Sequence, residues 1–341
     1  MRLRTIISFI VALFVLQMPI ADRFGAGGAA LAAAPAVDVC HDATPLGYLS
    51  GEDRLAAQQL DPTTVAGLAL AKSRAPDPES ANRDLSTGTA SAIAAQRTLK
   101  EATLRTGRGR GSASVFSDRA AALRGCATPQ PVSTLETTLA TLSAAVFSRA
   151  DATIGSGYGW VDNLNQQGQV TWYYCGPAVV SEAAHTMANN GRLANPVSQW
   201  TAGSYMGTTS TAGTSVGNFV RGMNAYVGRP VAGWDYYWWV WLSYSPTSSE
   251  RSTFVQNLMF DVNNGWPVGG DAWEEAYYPH LVGHPYNQTI FHYIEIGGYG
   301  SSGGTVYYAD SATSVWSSVP PYSWFNMQTM ITILGGRGYA W

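Results

Sequence analysis

The chain has 341 residues, of which 46% are hydrophobic, 12% aromatic and 13% charged. That hydrophobic share excludes a wholly disordered chain, and the length gives room for one large core or two smaller ones. A net charge of -3 gives no general electrostatic reason to expect nucleic acid as a partner, and three cysteines with no Cys-x-x-Cys pair exclude a disulfide-dense scaffold and a structural zinc ribbon.

The first element predicted is an export signal. Arg2 and Arg4 precede an apolar run over 6–16 broken only by Ser8. That run is shorter than the roughly 18–20 residues that span a bilayer. Ala30-Leu31-Ala32 and Ala34-Pro35-Ala36 both fit a small-x-small cleavage site, so 1–36 reads as a signal peptide. No later stretch is long and apolar enough to cross a membrane. The expectation is a secreted or extracytoplasmic protein with no membrane association beyond that signal.

Composition then changes along the chain. All 12 tryptophans lie after residue 150, and the first 150 residues are net positive while the rest are net negative. Such a shift predicts a domain boundary near 150. Segment 37–150 is rich in Ala, Thr, Ser and Arg. Residues 107–111 alternate Gly and Arg as a basic loop. Ser133 with Glu136 fits a capping box, and Leu135, Leu139, Leu142 and Val146 follow at helical spacing. A helical hairpin, a partly ordered stalk and a propeptide all remain open for this segment. Its position and its charge, opposite to that of 151–341, make an intramolecular propeptide lying in a substrate groove one expectation.

In 151–341 the elements are mixed. Residues 175–189 predict a helix, with Pro177 in its first turn and Asn190-Gly191 as its stop. A second helix is expected over 254–264. The alternation in 292–296 and 305–310 predicts two strands, with 297–304 as the hairpin loop between them. Helices first and strands later give the α+β class.

Cysteine arithmetic isolates one thiol. Cys40 and Cys126 share the N-terminal segment, and in an oxidising compartment they are the economical pair. Cys175 is then left free at the start of a helix, where unsatisfied N–H groups and the macrodipole favour a thiolate. A thiolate nucleophile needs a base that also protonates the leaving group. His185 lies ten residues on, about 15 Å along the helix, too far to share a proton. His292 opens a strand whose antiparallel neighbour ends at Asp310, which makes the two neighbours. Asp310 can then fix the imidazole tautomer. The backbone N–H of Cys175 and an upstream amide, with Gln166, Gln167 and Gln169 as candidates, can serve an oxyanion.

Gln169, then Tyr173-Tyr174-Cys175-Gly176-Pro177-Ala178, then His292 to Tyr299, then Tyr308-Ala309-Asp310, resemble the papain-like double-glycine leader peptidase family and its broad relatives. Gly207-Thr208-Thr209, Gly213-Thr214 and Asn264-Gly265-Trp266-Pro267-Val268 sit where that family has similar segments. The resemblance covers roughly 160–335. It implies a papain-like fold, with a helix carrying the cysteine and an antiparallel sheet carrying His and Asp. It implies Cys175 as nucleophile, His292 as base and acid, Asp310 as orienter and Gln169 in the oxyanion hole, with no cofactor and no metal. The family often has Asp-Pro where this chain has Asp310-Ser311. Relatives that process bacteriocin leaders are commonly fused to a transporter and an ATPase, and this chain has neither the spans nor a phosphate loop.

The expected activity is an exported cysteine peptidase acting on a peptide or protein. Acyl transfer of the transglutaminase kind, cell-wall amidase activity and a non-catalytic binding module on the same fold are the alternatives. The aromatic run from Trp234 to Trp241 is expected to serve packing more than a binding platform. Asp271, Glu274 and Glu275, near His280 and His284, are expected to be solvated acids because no tight ligand spacing joins them.

Overall fold

The computed structural model describes residues 60–105 and 157–341. The export segment, the Cys40–Cys126 pair, the Gly/Arg stretch 107–111 and the helix expected over 133–146 lie outside the described residues. The described elements are helices α1 (Pro62–Arg74) and α2 (Ala90–Arg105), strand β1 (Gly159–Trp160), helices α3 (Cys175–Asn189), α4 (Gln199–Met206), α5 (Val216–Met223) and α6 (Arg229–Ala232), strand β2 (Trp239–Trp241), helix α7 (Ser248–Asn263), strands β3 (Val268–Glu274), β4 (Ile290–Gly300), β5 (Thr305–Ala309) and β6 (Tyr322–Asn326), helix α8 (Met327–Leu334) and strand β7 (Gly338–Ala340).

The strands form one antiparallel sheet in the order β2-β7-β3-β4-β5-β6, with β1 added to β4. Side chains alternate faces along each strand, so β4 feeds two cores. Ile294 and Ile296 join Phe254, Leu258 and Val262 of α7 and Met330, Ile331 and Leu334 of α8. Tyr293 points to the other face, among Val179, Val180 and Ala183 of α3 and Phe219 of α5. Phe219 stacks on Tyr293 with ring centroids 4.3 Å apart. The class is α+β, as the residue pattern predicts.

Helix α3 has the bounds expected from its sequence. Helix α7 begins six residues earlier than expected. Thr247 and Glu250 form a reciprocal capping box that starts it at Ser248. Strand β4 also runs on through the glycines assigned to a loop. Gly297 packs against Leu164, where an added Cβ would lie 2.4 Å from a methyl carbon. Only 301–304 turns. The aromatic run is mainly core. Tyr236 and Tyr237 are fully buried, Trp239 and Trp241 belong to β2, and Tyr236 stacks on Trp266 at 3.7 Å.

The residues of α1 and α2 fall in the same compact unit as 157–341. Each helix inserts a fully buried lysine. Lys72 donates to the carbonyls of Thr332, Ile333 and Gly335, at 3.0, 2.8 and 2.7 Å, and so satisfies the open C-terminal end of α8. Burial pulls its ammonium down to about 7, against the pull of Glu275 and Glu274. Lys100 donates to both oxygens of Asp261 on α7, at 2.9 and 2.8 Å, and lies 4.0 Å from the ring centroids of Tyr236 and Trp341. Between the helices, Glu79 accepts from the N–H of Val216 at the start of α5. The short turns and helices of 60–105 thus complete two helix ends and one buried charge of the region that follows.

Cutting one half of a buried ion pair costs about 3–5 kcal/mol, because the other charge is stranded. Lys100→Ala is therefore expected to lower the urea-unfolding free energy of the full chain by about that much. The double variant Lys100→Met with Asp261→Leu should lose less, since it strands no charge.

Candidate active site

Cys175 is the first residue of α3 and is half-buried. Glycine follows it for a steric reason. A Cβ at Gly176 would lie 2.7 Å from Thr214 Oγ1. Thr214 is itself held by a 2.7 Å hydrogen bond with Thr208. Gly207 ends α4 in the left-handed region at φ 65°, which lets the chain fold back for that pairing. The two Gly-Thr segments noted in the sequence therefore support the turn that carries the thiol.

His292 lies near the start of β4, opposite Ala272 of β3, and is buried. Asp310 follows β5 directly, one residue past the Glu295–Ala309 pair. His292 Nε2 lies 2.9 Å from Asp310 Oδ1. Nδ1 is then the ring nitrogen left for the Cys175 sulfur. Burial disfavours the His292 imidazolium, but the charge and hydrogen bond of Asp310, and then those of Cys175, hold it protonated well above the usual histidine range. Burial also opposes ionisation of Asp310. The His292 charge and hydrogen bonds from His284 and His292 overcome it and keep the carboxyl well below its usual range. Asp310 Oδ1 also accepts from Ala312 N–H at 2.9 Å, which fixes the turn after β5.

Gln169 is buried against that turn. Its N–H donates to Ser311 O at 2.9 Å, and its Oε1 accepts from the Ser311 hydroxyl at 3.2 Å. Its Nε2 donates to Thr171 O at 2.9 Å. Ser311 stands where the resembled family often has proline, and its hydroxyl here sets the orientation of the Gln169 amide. Gln166 also reaches this turn, donating to Asp310 O at 2.7 Å, whereas Gln167 accepts from Ser181 of α3.

Two residues weighed in the sequence only as a loop cluster belong to the site. His284 Nε2 lies 3.1 Å from Asp310 Oδ2, and its Nδ1 lies 2.9 Å from Glu274 Oε1. Both residues sit in or beside an irregular loop, so no periodicity marked them. The acids expected to be solvated are in fact buried. Asp271 pairs with Arg337 at 2.6 Å, Glu274 accepts from Leu281 N–H, and Glu275 accepts from Trp273 Nε1 and Thr289. Asp271 and Glu274 lie in β3, every residue of which is buried, and Glu275 follows the strand directly. His280 is held by the carbonyls of Tyr278 and Gln288, and His185 by Ser181 O. Ligand atoms of His284, His292 and Asp310 lie within 4.8 Å of one another, a closeness their mutual hydrogen bonds account for.

Residues 160–330 match the model of the Peptidase C39-like family. The chain belongs to that family. No curated protein matches the chain. The matched stretch runs from β1 into α8 and contains Gln169, Cys175, His292 and Asp310, as well as His284. In this Peptidase C39-like chain no described helix is long and apolar enough to cross a membrane.

Beneath the site the C39-like domain buries two further carboxyl groups. Glu182 on α3 accepts from Gln167 N–H, and Glu295 on β4 accepts from Thr186. Oε2 of each has no hydrogen-bond partner among the described residues. Burial pushes Glu182 up to about 8, and burial plus the Glu182 charge pushes Glu295 well up too. The folded state therefore holds a proton on Glu182 that the unfolded chain releases near pH 4.5. The unfolded state binds fewer protons across that window, so this stabilisation is present below about pH 4 and fades as pH rises to about 8. Glu182→Gln should lose this dependence. Relative to the wild type, its urea midpoint should rise between pH 5 and pH 8.

Proposed function

We propose that the protein is an exported cysteine peptidase. Cys175 is the nucleophile, His292 the acid and base, Asp310 the orienter of His292, and Gln169 with the Cys175 N–H the donors to the oxyanion. The observation that carries this reading is the buried 2.9 Å contact of His292 Nε2 with Asp310 Oδ1, beside a cysteine at the start of a helix. The apolar run over 6–16, with its basic start, supports export.

The Cys175 thiolate attacks the peptide carbonyl carbon, and the carbonyl π electrons move to oxygen. The oxyanion accepts hydrogen bonds from Cys175 N–H and from the Gln169 amide, one of whose N–H groups is engaged by Thr171 O before substrate arrives. The tetrahedral adduct collapses. The C–N bond breaks, and the leaving nitrogen takes the proton from His292 Nδ1. A thioester on Cys175 and a free amine result. Neutral His292 then deprotonates water, hydroxide adds to the thioester, and the C–S bond breaks. The acid product leaves, and the thiolate and imidazolium are restored.

Throughout, Asp310 keeps Nε2 of His292 protonated and the ring aimed. As an intramolecular partner, the described part of segment 37–150, residues 60–105, holds the end of α8, the start of α5 and Asp261 of α7.

A thiol-directed epoxide, read by intact mass and peptide mapping, tests the reading. Labelling at Cys175 at neutral pH is expected, with loss in His292→Ala. Peptide panels should be cleaved by the wild type and not by Cys175→Ala. A folded protein that neither labels nor cleaves would point to a binding module. Amine incorporation without hydrolysis would point to acyl transfer.

A further inference from the structure

Asp310 is shared by two histidines, and only one of them reaches the sulfur. His284 is fully buried in its side chain, with His292, Trp316, Glu274 and Asp310 around it. Its ring centroid lies 5.1 Å from that of His292 and 5.0 Å from that of Trp316. A carboxylate with one neighbour can rotate about its Cβ–Cγ bond. Asp310 has donors on both oxygens, Oδ1 from His292 and Ala312 and Oδ2 from His284.

Glu274 in turn sits on the far side of His284. It is the last residue of β3, and its other oxygen accepts from Leu281 N–H in the loop that carries His284. The groups therefore form one row from strand to sulfur: Glu274, His284, Asp310, His292, Cys175. Signs alternate along it when both rings are protonated. The loop is pinned beside the row as well. Val282 N–H donates to Tyr308 on β5, and Gly283, at φ 82°, packs so closely on Ser318 O that a Cβ would lie 2.1 Å from it.

We propose that His284, held by Glu274, is a positioning residue for the cysteine chemistry: it occupies Oδ2 of Asp310, so that Oδ1 is locked towards His292. This rests on the function proposed above. Removing the donor at Oδ2 leaves the carboxylate held through Oδ1 alone, able to swing about that oxygen, and His292 loses its aim. Removing the ring's charge leaves the Asp310 charge to act on His292 alone. The charged groups that bear on His284 are Glu274 from β3, His292 from β4 and Asp310 after β5, with Lys72 of α1 acting on Glu274.

The test is the rate of iodoacetamide alkylation at Cys175 against pH, in the full chain, for the wild type and for His284→Ala, His284→Gln, Glu274→Gln and His292→Ala. Thermal melts identify which variants fold. In His284→Ala the plateau rate should fall about 10- to 100-fold, the scale expected when a reacting group is misaimed by a fraction of an ångström to an ångström. His284→Gln keeps a donor for Oδ2 and should recover most of the plateau. Its high-pH limb should still move to higher pH, because a positive charge near His292 is gone. Glu274→Gln keeps the shape and should shift the limb without lowering the plateau as far as His284→Ala.

If the folded His284 and Glu274 variants show the wild-type plateau and limb, with only a lower melting temperature, His284 is structural packing and the proposal falls. If the wild-type rate does not depend on His292 at all, the cysteine-peptidase reading falls and the proposal with it.

Discussion

A carboxylate cut off from water must be met by donors and positive charge, and Asp310 is almost wholly buried. Its two oxygens are taken by the rings of His292 and His284 and by one backbone N–H. Much of the local structure follows from meeting that demand. The strand pair β4–β5 brings the end of β5 beside the start of β4. The loop between β3 and β4 folds over to deliver His284. The turn after β5 closes on Ala312 and, through Ser311, on Gln169. The sulfur enters this arrangement from the other layer, at the start of α3, where Gly176 lets Thr214 approach.

The sheet and helices that frame the site do not stand alone. Burying an ammonium is costly unless every proton finds an acceptor. Lys72 finds three carbonyls at the end of α8, and Lys100 finds both oxygens of Asp261 on α7. Helix α8 packs beneath β3 and β5, the strands that carry Glu274 and lead into Asp310. Residues of 60–105 are thereby tied to the frame of the site without belonging to its chemistry.

Legibility in the sequence was uneven for physical reasons. Helix α3 could be read because proline, apolar spacing and a terminal Asn-Gly coincide over one continuous stretch. The closeness of His292 and Asp310 could be read because antiparallel pairing fixes which residues meet. The start of α7 was missed because its capping pair, Thr247 and Glu250, lies before the apolar stretch. The length of β4 was hidden by its glycines. They are there for close approach of Leu164 and β1, and not for turning. His284 was not legible, since its role depends on the loop between β3 and β4 folding back onto the end of β3 and the turn after β5. The burial of Asp271 and Glu274 was hidden for a related reason: their partners Arg337 and His284 come from later in the chain.

The charge on the His292 ring is what the chemistry at Cys175 depends on most directly. ¹⁵N chemical shifts of the His292 ring, followed through a pH titration of selectively labelled full-length protein, report both nitrogens separately. Both should read as protonated at neutral pH, and in Cys175→Ala the proton should be lost at a lower pH than in the wild type. A neutral His292 ring at pH 7, or a titration that ignores the sulfur's removal, would contradict that dependence.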